Sequence, residues 1–272
     1  MPIQPCEPRA PRATWVARNV ARAALLLLAA PVALLATPLA AQEFSPKQKT
    51  EIESVIKDYL LRNPEVLRDS LIELQKREKA DELAERSKVL ESSAAVIYDS
   101  KNQTVVGNPK GSITLVEFFD YNCGYCRRAL SDLNKLIKDF PDLKVVLKEF
   151  PVLGPNSLEA AQIASATRAQ VTPEKYWDFH QKLFATRGQI GKAQALAAAR
   201  EVGADVDRIE KDAKAPETTA AIHEVIGLAD KLSLSGTPAW ILGKEVIVGA
   251  VGYGELRGKI ENMQKCGKTS CP

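Results

Sequence analysis

The chain has 272 residues, 45% of them apolar, with 37 lysines and arginines against 34 aspartates and glutamates. The basic excess comes from Arg9, Arg12, Arg18 and Arg22, set against Glu7 alone in positions 1–41; beyond them the charges balance at 33 of each sign. A near-neutral chain without a basic stripe interleaved with aromatics excludes nucleic acid as a natural partner, and the remaining 231 residues suffice for one core plus an accessory element.

Those arginines lead into an apolar run, Ala23 to Ala36, and then "TPLAAQEF". Positive end, short apolar core and small-residue site follow the order of a secretory signal peptide. Cleavage is expected after Ala41, with Leu39 and Ala41 at the recognition positions. The run is broken by Pro31 and is shorter than the ~20 residues a membrane span needs; an uncleaved anchor is the rival reading. Residues 1–41 are therefore assigned to a signal peptide and the mature protein to the periplasm. Cys6 departs with the leader. Cys123, Cys126, Cys266 and Cys271 remain, an even set that fits two pairs in an oxidising compartment.

Residues 42–97 read as a helical stalk. Ser45 caps and Pro46 opens the first helix, and Ile52, Val55, Ile56, Tyr59 and Leu60 recur at helical spacing. In "NPEVLRDSLIEL" Asn63 is the expected cap and Pro64 the opening, with Val66, Leu67, Leu71 and Leu74 on one face. Nine of the fourteen residues from Gln75 to Lys88 are charged, with mixed sign, which favours a solvated helix or a loose arm. The leucines need a cover, either the chain's own main domain or the same segment of another copy. A heptad seam fails after Leu74, where Asp81 and Lys88 fall on it.

Residues 98–111, "YDSKNQTVVGNPKG", read as a linker with at most a short strand at Thr104–Val106. The main domain, 112–265, follows. "ITLVEFF" (113–119) and "LKVVLKEF" (143–150) are expected as central strands because both faces are apolar. A helix is expected from Cys126 to Phe140 between them. Residues from about 156 to 232 are mostly helical, and "PAWILG" with "KEVIVG" forms a hairpin turning at Gly243 and Lys244. A last helix covers "GYGELRGKIENMQ", leaving a tail at 266–272. The fold class is α/β, a layered fold with a helical insertion.

The chemistry centres on "FFDYNCGYCRR". A cysteine pair at the start of a helix faces unpaired amides and the positive end of the dipole. Cys123 would be the low-pKa nucleophile. Cys126, a turn further in, would be the resolving thiol that releases a mixed disulfide. Gly124 and Tyr125 would set the turn and the redox poise. A metal site normally needs further His or Cys ligands, and His180 and His223 both lie in helical stretches. A purely structural bridge across two residues is strained. The redox pair is the favoured reading over both; no metal site and no cofactor is assigned. Glu117, inside a buried strand, needs a partner or a raised pKa; Lys148 on the neighbouring strand is the candidate partner. Cys266 and Cys271, in "KCGKTSCP", read as a small bridge pinning the terminus, with a second redox pair or ion ligands as alternatives.

"LVEFFDYNCGYC", "KEFPVLG" and "SGTPAW" together resemble the thioredoxin superfamily, and more narrowly its DsbA-like branch, over roughly Gly107 to Gln264. The resemblance implies a thioredoxin fold with an inserted helical domain. It implies a cis Pro238 facing the cysteines, with the Thr237 backbone offered to a substrate strand. It also implies an acid beneath the pair, carried here by Glu117, that takes the Cys126 proton, with Lys148 assisting.

"YLLRNPEVLRDSL" with "DYNCGYCRRAL" is similar to the subset linked to suppression of copper sensitivity and to related exported disulfide isomerases. That resemblance implies self-association through residues 45–97, often as trimers, and several active sites on one scaffold. The expected activity is thiol–disulfide isomerisation or reduction of exported cysteine-bearing proteins, with a membrane reductase keeping the pair reduced. The alternatives are a dithiol oxidase recharged by a quinone-linked membrane protein, and a copper-binding module whose pair holds Cu(I).

Overall fold

The computed structural model describes residues 43–272, so the expected signal peptide and its cleavage site lie outside the described residues. Two units are distinct, one up to Asn63 and one from Pro64 to Pro272.

The first unit holds α1 (Pro46–Arg62). Ser45 and Gln48 form a reciprocal capping box at its start, and Pro46 occupies the first turn. Asn63, expected to start the next helix, instead ends this one: its side-chain nitrogen donates to the Tyr59 carbonyl at 2.8 Å. None of the residues of α1 is buried.

The second unit opens with α2 (Glu65–Ser92), a helix of 28 residues. Its charged middle is laced by i,i+4 pairs such as Glu73–Arg77 at 2.9 Å and Glu82–Arg86 at 2.7 Å, which support an exposed helix only modestly. Its last turns are docked. Arg86 donates to the Leu232 carbonyl at 3.0 Å, Glu91 pairs with Lys244, and Leu90 is buried. α3 (Ala94–Tyr98) then drives Ile97 fully into the core. The far end of the expected stalk is thus part of the main domain.

The sheet has the order β1-β3-β2-β4-β5. β2 (Ile113–Phe119) and β3 (Leu143–Glu149) are parallel and central; β1 (Thr104–Gly107) pairs antiparallel with β3 as an edge strand. The short strand expected at Thr104–Val106 within residues 98–111 is present as β1, one residue longer, and its backbone is satisfied on the β3 edge. β4 (Ala239–Leu242) and β5 (Glu245–Val248) form the hairpin beside β2. Its two-residue turn puts Gly243 at φ 58°, the positive φ that such a connection demands at its first position.

Two helices cover one face of the sheet. α4 (Gly124–Asp139) places Ala129, Leu133 and Leu136 on one buried stripe. α10 (Tyr253–Cys266) adds Leu256 and Ile260. Between β3 and β4 come α5 (Pro155–Arg168), α6 (Pro173–Ala185), α7 (Lys192–Glu201), α8 (Val206–Asp212) and α9 (Pro216–Lys231). Val225, Leu228 and Leu232, from α9 and its end, cover the second face with Ile97. The result is the expected α/β class: a thioredoxin fold with a mixed sheet and an inserted helical domain. Cys266 and Cys271 are bridged at the end of α10.

Candidate active site

β2 delivers the chain to the start of α4 through Asp120, Tyr121 and Asn122. Cys123 is the N-cap residue of α4, and its Sγ accepts from the Cys126 amide at 3.4 Å. The sulfur stands where a helix leaves its first donors unpaired. The sequence expectation began this helix at Cys126; the structure starts it two residues earlier, so both thiols lie on its first turn. A hydrogen bond from the Cys126 thiol, followed by a side-chain bond from Thr237 and the amides of Cys126 and Tyr125, lowers the Cys123 pKa to about 5 against the opposing effect of burial. Cys126 is fully buried, and desolvation pushes its thiol far above the usual range, helped by its bond to Cys123 and the Glu117 charge. Neither thiol is bridged.

The loop before β4 meets the pair from 114 residues away in sequence. The Thr237–Pro238 peptide is cis, and the Thr237 carbonyl oxygen lies 3.1 Å from the Cys123 sulfur. Above the motif the site is open. A side chain added at Gly124 would meet nothing within 4 Å, and Tyr125 is 60% exposed under the Arg128 guanidinium at 4.4 Å.

Glu117 lies beneath the pair on the α4 face of the sheet. It is 2% exposed, and desolvation together with the Cys123 charge raises its carboxyl to about 8. Lys148 does not pair with it. Parallel register sets Glu117 opposite Leu147 and Phe118 opposite Lys148, so Lys148 leaves the other face of the sheet. There its Nζ donates to the Gln103 side chain at 2.6 Å and to the Val96 carbonyl. Burial lowers its pKa to about 8. Lys148 therefore belongs to the anchoring of α3 and β1, not to the cysteine pair.

The sequence reading missed Asp120. Its buried carboxylate accepts from the Asn122 amide, the Ser157 hydroxyl and the Val152 and Leu153 amides, at 2.7 to 2.9 Å. It also missed the polar chain behind the site, where Tyr121 meets His180 at 3.2 Å and Tyr176 donates to Glu149, itself paired with Arg168. Desolvation lowers the His180 pKa to about 3, so this buried imidazole is neutral. A local signal for Asp120 did exist: an aspartate directly after an apolar central strand must find donors.

Among the described residues no group of three or more His, Cys, Asp or Glu side chains could hold a metal ion. The arrangement can do thiol–disulfide chemistry. A thiolate at Cys123 attacks a disulfide sulfur, the displaced sulfur leaves as a thiolate, and Cys126 can then displace the substrate from the mixed disulfide.

Residues 114–261 match the DSBA-like thioredoxin domain, and residues 48–81 match the copper resistance protein ScsC N-terminal domain. The chain belongs to the DSBA-like thioredoxin domain family, a family of thiol–disulfide oxidoreductases. A thioredoxin-like oxidoreductase from Silicibacter pomeroyi DSS-3 is 37% identical, with a TM-score of 0.59 over 63% of this chain and 98% of that one. Proteus mirabilis ScsC in a transitional conformation is 28% identical, with a TM-score of 0.57 over 79% of this chain and 94% of that one. Among curated relatives, a Na(+)/H(+) antiporter of Salinispora arenicola is 29% identical over 149 residues; the match takes in 54% of this chain and only 22% of the antiporter.

Proposed function

We propose that the chain is a periplasmic thiol–disulfide isomerase or reductase acting on exported, cysteine-bearing proteins. Cys123 is the attacking thiolate and Cys126 the resolving thiol. Glu117 accepts the Cys126 proton, and the Thr237–Pro238 edge, with Gly124 and Tyr125, receives the substrate chain. Residues 45–97 join copies of the chain, with a trimer as the expected state, and a membrane reductase returns the pair to the dithiol form.

The observation that carries the isomerase reading is the set of apolar side chains left in solvent on the first two helices. Ile52, Val55, Ile56, Tyr59 and Leu61 on α1, and Leu67, Leu71, Ile72 and Leu74 on α2, are each at least 40% exposed. Patches of that kind mark association surfaces. Several nucleophiles on one scaffold raise the effective concentration for the second encounter that reshuffling requires. Reactivation of scrambled ribonuclease by the reduced protein tests this activity. Alkylation of Cys123 and Cys126 in living cells tests its direction: mostly reduced thiols support the isomerase, mostly oxidised ones overturn it.

The low pKa of Cys123 favours a second reading, a dithiol oxidase. A stabilised thiolate favours the reduced pair and makes the disulfide more oxidising. Oxidation of a reduced peptide without any reshuffling, together with a quinone-linked partner, would select it. A copper-tolerance role, with the two thiols holding Cu(I), has the match at residues 48–81 in its favour; full copper resistance in cells carrying Cys123→Ser would exclude the dithiol as the ligand.

A further inference from the structure

Asn122 stands directly before Cys123, and its side chain is fastened to the helical insertion. Its Nδ2 donates to the Ile190 carbonyl at 2.8 Å and to the Ser157 hydroxyl at 3.0 Å, and its Oδ1 accepts from the Ile190 amide at 2.7 Å. Both hydrogens of the carboxamide nitrogen are used, and so is its oxygen. Both backbone groups of Ile190 meet this single side chain. Ile190 lies just before α7 and is fully buried, in the same apolar cluster as Tyr121, Cys123 and Cys126. Ser157, in the first turn of α5, extends the contact by donating to Asp120 Oδ1 at 2.7 Å.

The backbone of the same turn is held from the other side. The Asn122 amide donates to Asp120 Oδ1 at 2.8 Å, and the Cys123 amide to the Asp120 carbonyl at 3.0 Å. The peptide leading into Cys123 is therefore tied both at Asp120 and, through the Asn122 side chain, at two elements of the insertion. Cys123 itself has the extended backbone of an N-cap, with φ −79° and ψ 112°, which lets its Sγ accept from the Cys126 amide. Such a cap works only while the acceptor stays over the first amides of the helix. A thiolate there is a charged acceptor and makes the stronger kind of bond; a disulfide sulfur carries no charge to hold. Whatever keeps the sulfur in place favours the dithiol over the disulfide.

The residue type at 122 fits this task. Asparagine offers a donor and an acceptor side by side, the pattern a neighbouring backbone presents, on a single methylene. Aspartate would accept from the Ile190 amide but set a second acceptor against the Ile190 carbonyl, and alanine would leave both groups of a buried residue unpaired. We propose that Asn122 is a positioning residue: it makes the helical insertion part of the mount that keeps the Cys123 sulfur over the first amides of α4, and so sets the dithiol–disulfide balance of the pair. This rests on the thiol–disulfide activity proposed above.

The test equilibrates the full chain at neutral pH with mixtures of glutathione and glutathione disulfide. Each oxidation joins Cys123 to Cys126 and converts one glutathione disulfide into two glutathione thiols. Asn122→Ala is expected to shift this equilibrium about tenfold toward the protein disulfide, the size that weakening one hydrogen bond to a charged acceptor gives. A residue that only braces the fold would lower the stability of both redox forms alike and leave the equilibrium where it was. Lys148→Met supplies that kind of loosening away from the pair and should stay within about twofold of the parent. Should Asn122→Ala fail to fold, Asn122→Ser, which keeps one hydrogen-bonding group toward Ile190, is read in the same way, with a shift of about threefold expected. An equilibrium within about twofold of the parent in the folded Asn122 variant overturns the proposal, whatever that variant's stability. So does a shift toward the dithiol, or an equal shift in Lys148→Met. A parent that exchanges with neither form of glutathione would instead overturn the underlying activity.

Discussion

Glu117 and Lys148 occupy adjacent parallel strands and point away from each other. Glu117 lies opposite Leu147 beneath the cysteine pair, while Lys148 lies opposite Phe118 and reaches Gln103 and Val96. The two groups therefore stand in different surroundings on opposite faces of the sheet and are separable by mutation.

Glu117→Gln removes the proton acceptor proposed for Cys126. Release of a mixed disulfide should slow by about 10²-fold or more, as for loss of a general base, while the first attack by Cys123 persists; single-turnover kinetics with a quench separates the two. Stability gives an independent check. The folded carboxyl titrates at about 8 against a reference of 4.5, so between those values the native state holds more protons than the unfolded one. The contribution of Glu117 to stability is thus best at low pH and falls as pH rises from 4.5 to 8. Denaturant melts of Glu117→Gln should lose that slope, a change on the order of a few kcal/mol across the window.

Cys123 runs in the opposite direction. Its folded pKa of about 5 lies below the reference value of 9.0, so the unfolded dithiol chain binds more protons between them. Its contribution is present in full above 9.0 and is lost as pH falls toward 5. The disulfide form has no such titration. Thermal melts of the reduced and oxidised protein should therefore diverge as pH rises, in favour of the reduced form, and Cys123→Ser, which forms no such disulfide, should lack the gain in stability with pH that the reduced parent shows. Thiolate ultraviolet absorbance should give a midpoint near 5.

Lys148→Met should leave exchange at Cys123 within about twofold and lower stability by about 1–3 kcal/mol, because the Gln103 and Val96 oxygens lose a buried donor. Hydrogen exchange should rise in α3 and β1. Since the folded amine titrates at about 8 against 10.5, the native form gives up its proton first, and the contribution of Lys148 to stability grows as pH rises through that window. The variant removes that growth. A selective loss of catalysis would restore Lys148 to the active site.

Charged substitutions on the first two helices test association. Val55→Glu in α1 or Leu71→Glu in α2 replaces a side chain that is 67% or 59% exposed in the single chain, so neither should unfold it. Light scattering should show the oligomer dissociating, with reshuffling of scrambled ribonuclease falling and single oxidation or reduction events retained. A parent that scatters as a monomer would remove the main support for an isomerase.

Much of this molecule is legible from local pattern. The apolar runs at 113–119 and 143–150 announce central strands because both faces are buried. Gly243 with Lys244 marks the hairpin because the turn demands a positive φ. The cysteines stand at a helix start because the motif follows a strand directly, and Ser45 with Pro46 opens α1 for reasons confined to its first turn. Each of these depends on contacts within a few residues.

Other features depend on partners remote in sequence. The face taken by Lys148 follows from the register of two strands, and a one-residue shift would have put it beside Glu117. Residues 98–111 looked like a connector because the partner of β1 lies forty residues further on, in β3. Asp120 went unread because its donors, Val152, Leu153 and Ser157, arrive from the far side of β3. The sequence by itself determined the class of fold and the place of the two cysteines at the start of a helix, since periodicity and a short motif act locally. Only the tertiary structure decided which buried charges stand with those sulfurs, because a side chain's neighbours across a sheet are set by register and closure of the whole chain.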